Sequence, residues 1–291
     1  MSNSFENPKR LRFTITLALG TFANGTNEVI LEGFRSTVEV QKAGGQMMSS
    51  CNFRIFGLSQ ELMSELTTLA FLALSYTKNV VKIEAIDGNK TDLVYIGSII
   101  NAWGDYAQMP DVALYVETQA GFFDQLNISE PLQYKGVIDV AVLMGTIASK
   151  MGLRFENNNV VDKIDNPNYT GTIIDQLRAL AQDTNTEFYL DDTVLAICPK
   201  GIARTQNKVI PIISSQTGLI GYPSFDKIGV TFRCLFNAAI RFGGQIEMRS
   251  DIKQANGTWA VCSIVHNLES EKPDGQWFSI IRCTSTGVIP L

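Results

Sequence analysis

The stretch from Thr217 to Ser250 constrains the fold of this chain more than any other. It holds two turn-forming segments, each of which leads into an apolar strand. The first segment is rich in glycine and precedes Val230–Phe236, and the second is the pair Gly243-Gly244 before Gln245–Arg249. No acid, base, thiol or phosphate-binding loop is arranged here for chemistry. The pattern therefore indicates a structural β framework.

Short motifs in this C-terminal part carry a family resemblance. They are the run GLIGYPSFDKIGVTFRCLFNAAIRFGG, then GTWAV at 257–261, HNLES at 266–270 and PDGQW at 273–277. Together they look like the C-terminal barrel of phage baseplate hub proteins, the central hubs of contractile tails. That family is related in fold to the N-terminal part of the VgrG spike proteins of type VI secretion. The likeness extends more loosely through residues 90–200, and it departs at Ala238, where the family usually has proline.

Residues 1–118 consist mainly of short alternating segments, which predict a first small antiparallel β-barrel. A hairpin turn is predicted at Asp87-Gly88-Asn89. The segment Arg12–Leu19 places its apolar residues on one face: Phe13, Ile15, Leu17 and Leu19. The other predicted strands are Val29–Leu31, Ser36–Val40, Asn52–Phe56, Val80–Ile86, Leu93–Ile100 and Asp111–Thr118.

One helix is predicted between these strands. Ser59 is a good N-cap, because its hydroxyl can accept from a free N–H of the first turn. Helical spacing from there predicts about four turns with one buried face. The residues predicted on that face are Leu62, Leu66, Leu69 and Ala73.

Residues 119–206 change to an α/β pattern, predicted as a domain between two barrels. A helix over Asp139–Met151 is followed by Gly152 at the C′ position, and its apolar spacing is carried by Val140, Leu143, Met144, Ile147 and Met151. Thr172 and Asp175 form a capping-box-like start to a second helix, which ends near Asn185. That helix buries Ile173, Ile174, Leu177, Leu180 and Ala181. A hairpin of Glu187–Leu190 and Thr193–Ile197 follows, turned by Asp191-Asp192.

Residues 207–291 return to strands and predict a second β-barrel. The fold class is thus α+β and β-rich, with an α/β domain between two barrels that the resemblance implies are alike in shape. The predicted strands are Val209–Ile213, Val230–Phe236, Gln245–Ser250, Thr258–Asn267 and Trp277–Cys283.

Composition excludes several functional classes. The net charge of −5 argues against non-specific nucleic-acid binding, which needs clustered Lys and Arg. The five cysteines are widely spaced and form no CxxC pair, and a single histidine cannot complete the usual zinc sets. They are expected to be buried and reduced, as in a reducing cytoplasm: Cys51, Cys198, Cys234, Cys262 and Cys283. The polar N-terminus predicts no signal peptide, and the apolar region 66–76 is too short to cross a bilayer.

A search for reactive constellations predicts no catalytic, cofactor-binding or metal site. His266 is the only candidate base, and a structural role for it is favoured. The carboxylate pairs have simpler explanations, as a turn, a shared helix face and hairpin flanks: Asp191-Asp192, Glu61 with Glu65, and Glu269 with Glu271. Gly44-Gly45 and Gly243-Gly244 lack phosphate-loop forms. The larger aromatics are expected in core or interface packing: Phe22, Phe34, Trp103, Tyr106, Trp259 and Trp277.

The resemblance implies a structural baseplate hub rather than an enzyme. It implies a homotrimer whose two barrels per chain form a pseudo-six-fold ring, joining a hexameric tail tube to a trimeric spike while DNA passes through the lumen. The implied partners are tail tube, spike, tape measure and baseplate wedge proteins, in a virion tail assembled in the host cytoplasm. An acidic lumen that repels DNA is a further hypothesis.

Two alternatives stay open. The chain fits a hub or spike component of a type VI secretion system or of a phage-tail-like bacteriocin, although the absence of a long β-helical needle favours a hub with a separate spike. A carbohydrate-binding or cell-wall-degrading module would need a concave pocket with poised acids.

Overall fold

The structure is a computed structural model that describes residues 9–43, 48–73, 78–107, 109–205, 209–227 and 229–285, with side chains omitted for 68–73. Strands dominate it and helices are few, so the β-rich α+β class is confirmed. None of the helices in these ranges is long and apolar enough to span a membrane.

The helices and strands are numbered in chain order. The helices are α1 Gln60–Ala73, α2 Phe122–Leu126, α3 Val140–Met151 and α4 Ile173–Asp183. The first ten strands are β1 Lys9–Thr16, β2 Glu28–Glu32, β3 Ser36–Ala43, β4 Ser50–Phe56, β5 Val80–Asp87, β6 Lys90–Asp105, β7 Ala113–Gln119, β8 Leu132–Gln133, β9 Val137–Asp139 and β10 Arg154–Asn157. The second ten are β11 Lys163–Asp165, β12 Asn168–Tyr169, β13 Thr186–Asp191, β14 Val194–Pro199, β15 Ile212–Ile213, β16 Leu219–Phe225, β17 Gly229–Leu235, β18 Gln245–Met248, β19 Gly257–Ser270 and β20 Trp277–Ser285.

The chain divides into two compact units. Unit 1 contains Met1–Gln41, Ser50–Phe122 and His266–Phe278, and the remaining three stretches form unit 2: Lys42–Ser49, Phe123–Val265 and Ser279–Leu291. Unit 2 holds two separate apolar cores, one drawn mainly from 132–197 and one from 213–283. The division into domains at 1–118, 119–206 and 207–291 stays a prediction.

In unit 1 an antiparallel sheet runs in the order β3-β4-β7-β6-β5-β1-β2. Phe13 and Ile15 of β1 are buried as the alternation predicts, and the ring of Phe13 lies 5.0 Å from that of Phe53 on β4. The prediction that Leu19 shares this face is wrong, because β1 ends at Thr16 and Leu19 is 72% exposed. Alternation orders side chains only while the backbone stays extended.

Helix α1 begins where its cap predicts. The hydroxyl of Ser59 accepts a hydrogen bond from the N–H of Leu62 at 3.3 Å. Leu66 is buried as expected, Leu62 is half-buried, and Met63 is buried in addition. The side chains of Leu69 and Ala73, also predicted on this face, lie outside the described residues.

Unit 2 contains both helices that were predicted for residues 119–206. All five residues predicted on the buried face of α3 are buried, and Gly152 ends the helix with φ 73°. Helix α4 starts with the predicted reciprocal cap: Asp175 N–H donates to Thr172 Oγ1 at 3.1 Å, and Thr172 N–H donates to Asp175 Oδ2 at 3.2 Å. It ends at Asp183, and Ile173 is only half-buried.

Gly145 in the middle of α3 leads to a testable prediction. A Cβ at this position would lie 3.4 Å from the nearest atom of Phe155, which is ordinary contact. Because glycine is about 0.8–1 kcal/mol less favourable than alanine in a helix interior, Gly145→Ala should raise the free energy of unfolding of unit 2 by about 0.5–1 kcal/mol. Thermal unfolding followed by circular dichroism would measure this, and a lowered midpoint would contradict it.

The C-terminal strands differ from the sequence prediction at two places. Only Ile212–Ile213 of the predicted strand Val209–Ile213 is extended and paired, parallel to β18. The segment rich in glycine and proline was predicted as turns, yet it forms β16, paired antiparallel with β17. The register shifts between Ile220 and Ser224, and this irregularity accommodates Gly221 and Pro223 within a strand.

Candidate functional site

A cluster of buried charges is the most unusual feature of unit 2. The ammonium of Lys42, on β3, lies 3.0 Å from Asp191 Oδ1 and 2.7 Å from Asp192 Oδ2. The three side chains are 6%, 1% and 3% exposed. Buried Lys and Asp are rare unless they are paired, so this arrangement needs the electrostatic partners that surround it.

Arg204 forms the second half of the cluster. Its guanidinium donates to Asp191 Oδ2 at 2.9 Å and makes a two-pronged contact with Glu156, at 3.0 Å to Oε1 and 2.9 Å to Oε2. It also donates to the carbonyl of Phe242 at 2.8 Å. Arg241, more exposed, lies 3.7 Å from Asp191. The planar fork of arginine matches this pattern of acceptors, which a lysine could not satisfy.

The pKa shifts follow from burial and from these partners. Burial alone would raise the pKa of Asp191, but the charges of Lys42, Arg204 and Arg241 outweigh it and hold that pKa well below its usual range. Burial would lower the pKa of Lys42, but Asp191 and Asp192 raise it to about 12. Burial raises the pKa of Asp192, whose Oδ1 has no hydrogen-bond partner within the described residues.

Local backbone geometry brings these groups together. Asp192 has φ 55° and occupies, with Thr193, the turn between β13 and β14, whereas Asp191 is still in β13. The turn is therefore one residue later than Asp191-Asp192 predicts. Gly243 has φ 75°, and a Cβ there would lie 2.8 Å from the ring of Tyr189, so glycine permits this close approach.

Three cations and three carboxylates in this cluster compensate one another: Lys42, Arg204 and Arg241 with Glu156, Asp191 and Asp192. Such a balanced and buried set is suited to fixing the arrangement of several chain segments. In the described ranges, no group of three or more His, Cys, Asp or Glu side chains could hold a metal ion.

Sequence reasoning missed this cluster, although one signal was present. In β3, Ser36, Val38 and Val40 occupy one face by alternation, and Lys42 continues that same face. A lysine at an inward position predicts a buried counter-ion. The pair Asp191-Asp192 was interpreted only as a turn, and Glu156 and Arg204 are too far apart in the sequence to be paired by inspection.

The histidine and the carboxylates considered as candidate catalytic groups have structural roles or lie in separate elements. His266 is buried in unit 1. Glu65 accepts from the N–H of Ala23 at 3.1 Å, and Glu61 lies in the first turn of α1. Glu269 accepts from Lys272 and from the N–H of Gln276, both at 2.8 Å, while Glu271 pairs with Arg10. Gly44-Gly45 lies outside the described residues.

The positions of the cysteines and the tryptophans are explained by packing and by hydrogen bonds to the protein. Four cysteines are buried, but Cys262 is half-buried on β19, where its thiol donates to the carbonyl of Arg282 at 3.2 Å. Trp259 Nε1 donates to the carbonyl of Ala255 at 2.9 Å, and Trp277 is buried. Trp103 packs on Tyr115 with ring centroids 4.2 Å apart. Each of these indole rings contacts protein groups.

Each unit also presents a strand at an edge of its sheet. In unit 1 it is β2, which follows β1 at the end of the order and exposes 57% of Ile30. In unit 2 it is β16, paired with β17, where Tyr222 and Phe225 are 71% and 56% exposed. Within the described residues, both edges therefore combine unpaired backbone groups with exposed apolar side chains.

Comparison with known proteins decides the family. The sequence profile described as Baseplate hub gp41 matches residues 10–283. The chain belongs to this family. No curated protein sequence matches the hub chain significantly.

Solved structures share the fold of this hub family member at low sequence identity. A tail protein from Neisseria meningitidis MC58 aligns with TM-score 0.63 and 10% identity, covering 94% of this chain and 97% of that one. The 43 kDa tail protein of prophage MuSo2 from Shewanella oneidensis aligns with TM-score 0.62 and 9% identity, over 94% and 97%. An E. coli type VI secretion component, described as similar to T4 bacteriophage tail proteins gp27 and gp5, aligns with TM-score 0.58 and 8% identity, over 89% and 76%.

Family membership assigns the coarse role. The chain is a structural protein of the phage baseplate hub and tail class, as the C-terminal motifs indicate. Such a protein works within an assembly and belongs to the virion tail.

Proposed function

We propose that this hub protein forms a homotrimeric ring that joins a hexameric tail tube to a trimeric spike. Three chains supply six positions if each chain contributes two similar β-barrels, one from residues 1–118 and one from 207–291. A ring of this kind is three-fold in composition and nearly six-fold in shape. It resolves the mismatch between a six-fold tube and a three-fold spike.

The observation that carries the proposal is the pair of edge strands, one in each unit. A closed ring needs two contact surfaces on every subunit, and β2 and β16 supply one each. Both edges also limit indiscriminate pairing: β2 is short with Glu at both ends, and β16 contains Pro223, which donates no N–H. Side-chain packing of Tyr222 and Phe225 on a neighbouring chain therefore accounts better for the contact than continued strand pairing.

The other parts of the chain have roles consistent with this ring. The α/β residues 119–206 lie on the outside and contact wedge or peripheral baseplate proteins. This part exposes Val137, Val142 and Val161 by 63%, 54% and 82%, which suits protein contacts. Tube, spike and tape measure proteins contact the ring itself, which assembles in the host cytoplasm.

Genome passage requires a bore that does not retain DNA. With net charge −5 per chain, a lumen lined by the acidic excess repels phosphates and avoids counterion-release binding. Translocating DNA then slides through the ring during ejection.

Cryo-electron microscopy of assembled tails tests this function. We expect three copies of the chain in one ring between the last tube hexamer and the spike, with an acidic bore. Six copies, or a location on the outside of the baseplate, would overturn the ring. A basic bore would remove only the lumen hypothesis.

The edge contact can be tested on the purified chain. The wild type should have three times the 32.1 kDa chain mass by multi-angle light scattering. Tyr222→Glu places a charge in the contact and should weaken association about 100-fold, giving monomer at micromolar concentration, because unpaired buried charge at an interface costs 2–5 kcal/mol or more.

Val161→Glu is the matched control for the edge substitution. It also replaces an exposed apolar residue by glutamate, but it lies in the α/β part and should leave the trimer intact. A monomeric wild type, or equal dissociation of both variants, would contradict the assignment of the β16 edge as the contact.

A role in a type VI secretion system or a phage-tail-like bacteriocin is the second candidate. The E. coli type VI secretion component favours it, since that protein has the same fold. Purified particles separate the two: a DNA-filled head joined to the tail supports a phage hub.

A further inference from the structure

The charges of the chain are distributed unequally between its two units. Of its 24 Lys and Arg and 29 Asp and Glu, unit 1 holds nine and fifteen, a net charge of −6, and unit 2 holds fifteen and fourteen, a net charge of +1. The whole acidic excess therefore belongs to unit 1. Two copies attract when unit 1 of one faces unit 2 of the other, and they repel when unit 1 faces unit 1.

The edge strand of unit 1 carries an acidic group that is not used within the chain. On β2 the exposed side chains alternate along one face, and they are Glu28, Ile30 and Glu32. Glu32 is held by Arg12, whose Nε lies 2.7 Å from Glu32 Oε2. Among the described residues the carboxylate of Glu28 forms no ion pair or hydrogen bond. This edge thus presents Ile30 beside one free negative charge.

The edge strand of unit 2 carries the opposite combination. Tyr222 and Phe225 on β16 are more than half exposed, and Lys227 follows them in the turn before β17. The neighbouring Asp226 is engaged, because its Oδ2 lies 3.5 Å from the guanidinium of Arg282. Lys227 is exposed and forms no ion pair in the described part of the chain. This edge thus presents apolar rings beside one free positive charge.

Spacing along the two strands makes these combinations compatible. Glu28 is two residues from Ile30, and Lys227 is two residues beyond Phe225. Two residues of extended chain span roughly 6.5 Å, so each charge lies at a similar offset from its apolar neighbour. When Ile30 packs on Phe225, the flexible four-carbon stem of lysine can bring its ammonium to the carboxylate of Glu28.

The apolar surface near β16 extends beyond its two aromatic rings. Of the eighteen large apolar side chains that are exposed in the described residues, six lie between positions 209 and 225: Val209, Ile210, Ile212, Ile220, Tyr222 and Phe225. The outer carbonyl of Ile212 on β15 is already satisfied, since the hydroxyl of Thr217 donates to it at 2.7 Å. Side chains rather than backbone groups of β15 are therefore available to a partner, and they add to the area that a stable contact needs.

A second copy of the chain fits these surfaces because both halves of the match occur on one chain. A contact of β16 with β16 would bring two Lys227 side chains together, and a contact of β2 with β2 would bring two Glu28 carboxylates together. A head-to-tail contact pairs opposite charges instead, and contacts of this kind generate rings when their rotation closes.

We propose that β2 of one copy packs against β16 of the next, with Ile30 on Phe225 and the carboxylate of Glu28 paired with the ammonium of Lys227. This assignment rests on the proposed trimeric ring, and it adds the direction of the contact and the charge pair that selects that direction. Each copy contributes both halves, so the ring contains three such pairs. Salt should weaken association, because exposed charges are screened at high ionic strength.

Charge reversal in the full-length chain tests the pair, with association measured by sedimentation equilibrium. Glu28→Lys and Lys227→Glu each bring like charges together and should weaken association about tenfold per contact. The double variant Glu28→Lys/Lys227→Glu pairs opposite charges again, in the reverse order, and should associate within about threefold of the wild type. Misfolding would not produce this recovery, since two folding defects add.

Glu61→Lys is the matched control, since it makes the same change of charge on an exposed residue of unit 1, in α1, and should leave association unchanged. The loss in each single variant should also shrink at about 0.5 M salt. A trimeric wild type with unaffected single variants, with no recovery in the double variant, or with equal effects of Glu61→Lys and Glu28→Lys would overturn the assignment and leave the ring in place. A monomeric wild type would overturn both.

Discussion

Asp191→Asn is expected to lower the free energy of unfolding of unit 2 by about 3–5 kcal/mol, because it leaves buried cations without their shared counter-ion. Asp191 is 1% exposed and lies 3.0 Å from the ammonium of Lys42 and 2.9 Å from the guanidinium of Arg204. Asparagine keeps the size of the side chain, so the loss is electrostatic rather than a cavity.

The expected loss shows as a lower midpoint of thermal unfolding. For a unit of this size, about 1 kcal/mol corresponds to a shift of 2–4 °C, so the midpoint should fall by roughly 6–20 °C. Asp139→Asn is the matched control in the same unit, since it removes the same kind of charge from the pair of Lys163 and Asp139, whose side chains are 64% and 52% exposed. That change should cost at most about 1 kcal/mol. Equal shifts in the two variants would show that the cluster contributes no more than a surface pair.

The pH dependence gives a second check on the same variant. The pKa of Asp191 is lower in the folded chain than in the unfolded chain, so its contribution to stability is complete above the unfolded pKa, about 3.9, and is lost as pH falls toward the folded pKa. The difference in stability between wild type and Asp191→Asn should therefore be constant from about pH 5 to 8 and shrink below pH 4. A constant difference down to pH 2 would point to packing instead.

The sequence predicts best where local signals and tertiary packing agree. Helix α3 has apolar residues at helical spacing and a glycine at its end, and every predicted buried residue is buried. Helix α4 begins at the reciprocal cap of Thr172 and Asp175. In both cases the determinants lie within one turn of the element they specify.

Prediction fails where a residue's partner is distant in the chain. The charges of Lys42 and Asp191 meet across 149 residues, and those of Glu156 and Arg204 across 48. Strand β16 was taken for turns because glycine and proline are poor strand formers, yet pairing with β17 and the irregularity at Ile220 override that preference.

The buried cluster and the exposed edges have complementary physical consequences. Charges that are satisfied inside unit 2 fix the segments that carry them, and rigid segments lose less conformational entropy when they assemble. Apolar side chains left exposed on β16 supply the area that a partner can bury. An assembly protein needs both properties, because a loosely held edge would misassemble as readily as it assembles.

Gly229→Ala is expected to lower the free energy of unfolding of unit 2 by about 2–3 kcal/mol. A Cβ on Gly229 would lie 1.8 Å from the carbonyl oxygen of Cys283 in β20. Backbone cannot rotate aside as a flexible side chain does, and Cys283 is fully buried, so strands β17 and β20 must separate to admit the methyl group.

Gly145→Ala is the matched control for this substitution, because it adds the same methyl group where the neighbouring Phe155 leaves room. The two variants should move the thermal midpoint of unit 2 in opposite directions, Gly229→Ala downward by roughly 4–12 °C and Gly145→Ala upward by roughly 1–4 °C. A midpoint for Gly229→Ala within 1 °C or so of the wild type would mean that β17 and β20 do not approach this closely in solution. Because β17 is the partner of β16, loss of this close packing should also weaken the trimer that the β16 edge is proposed to form.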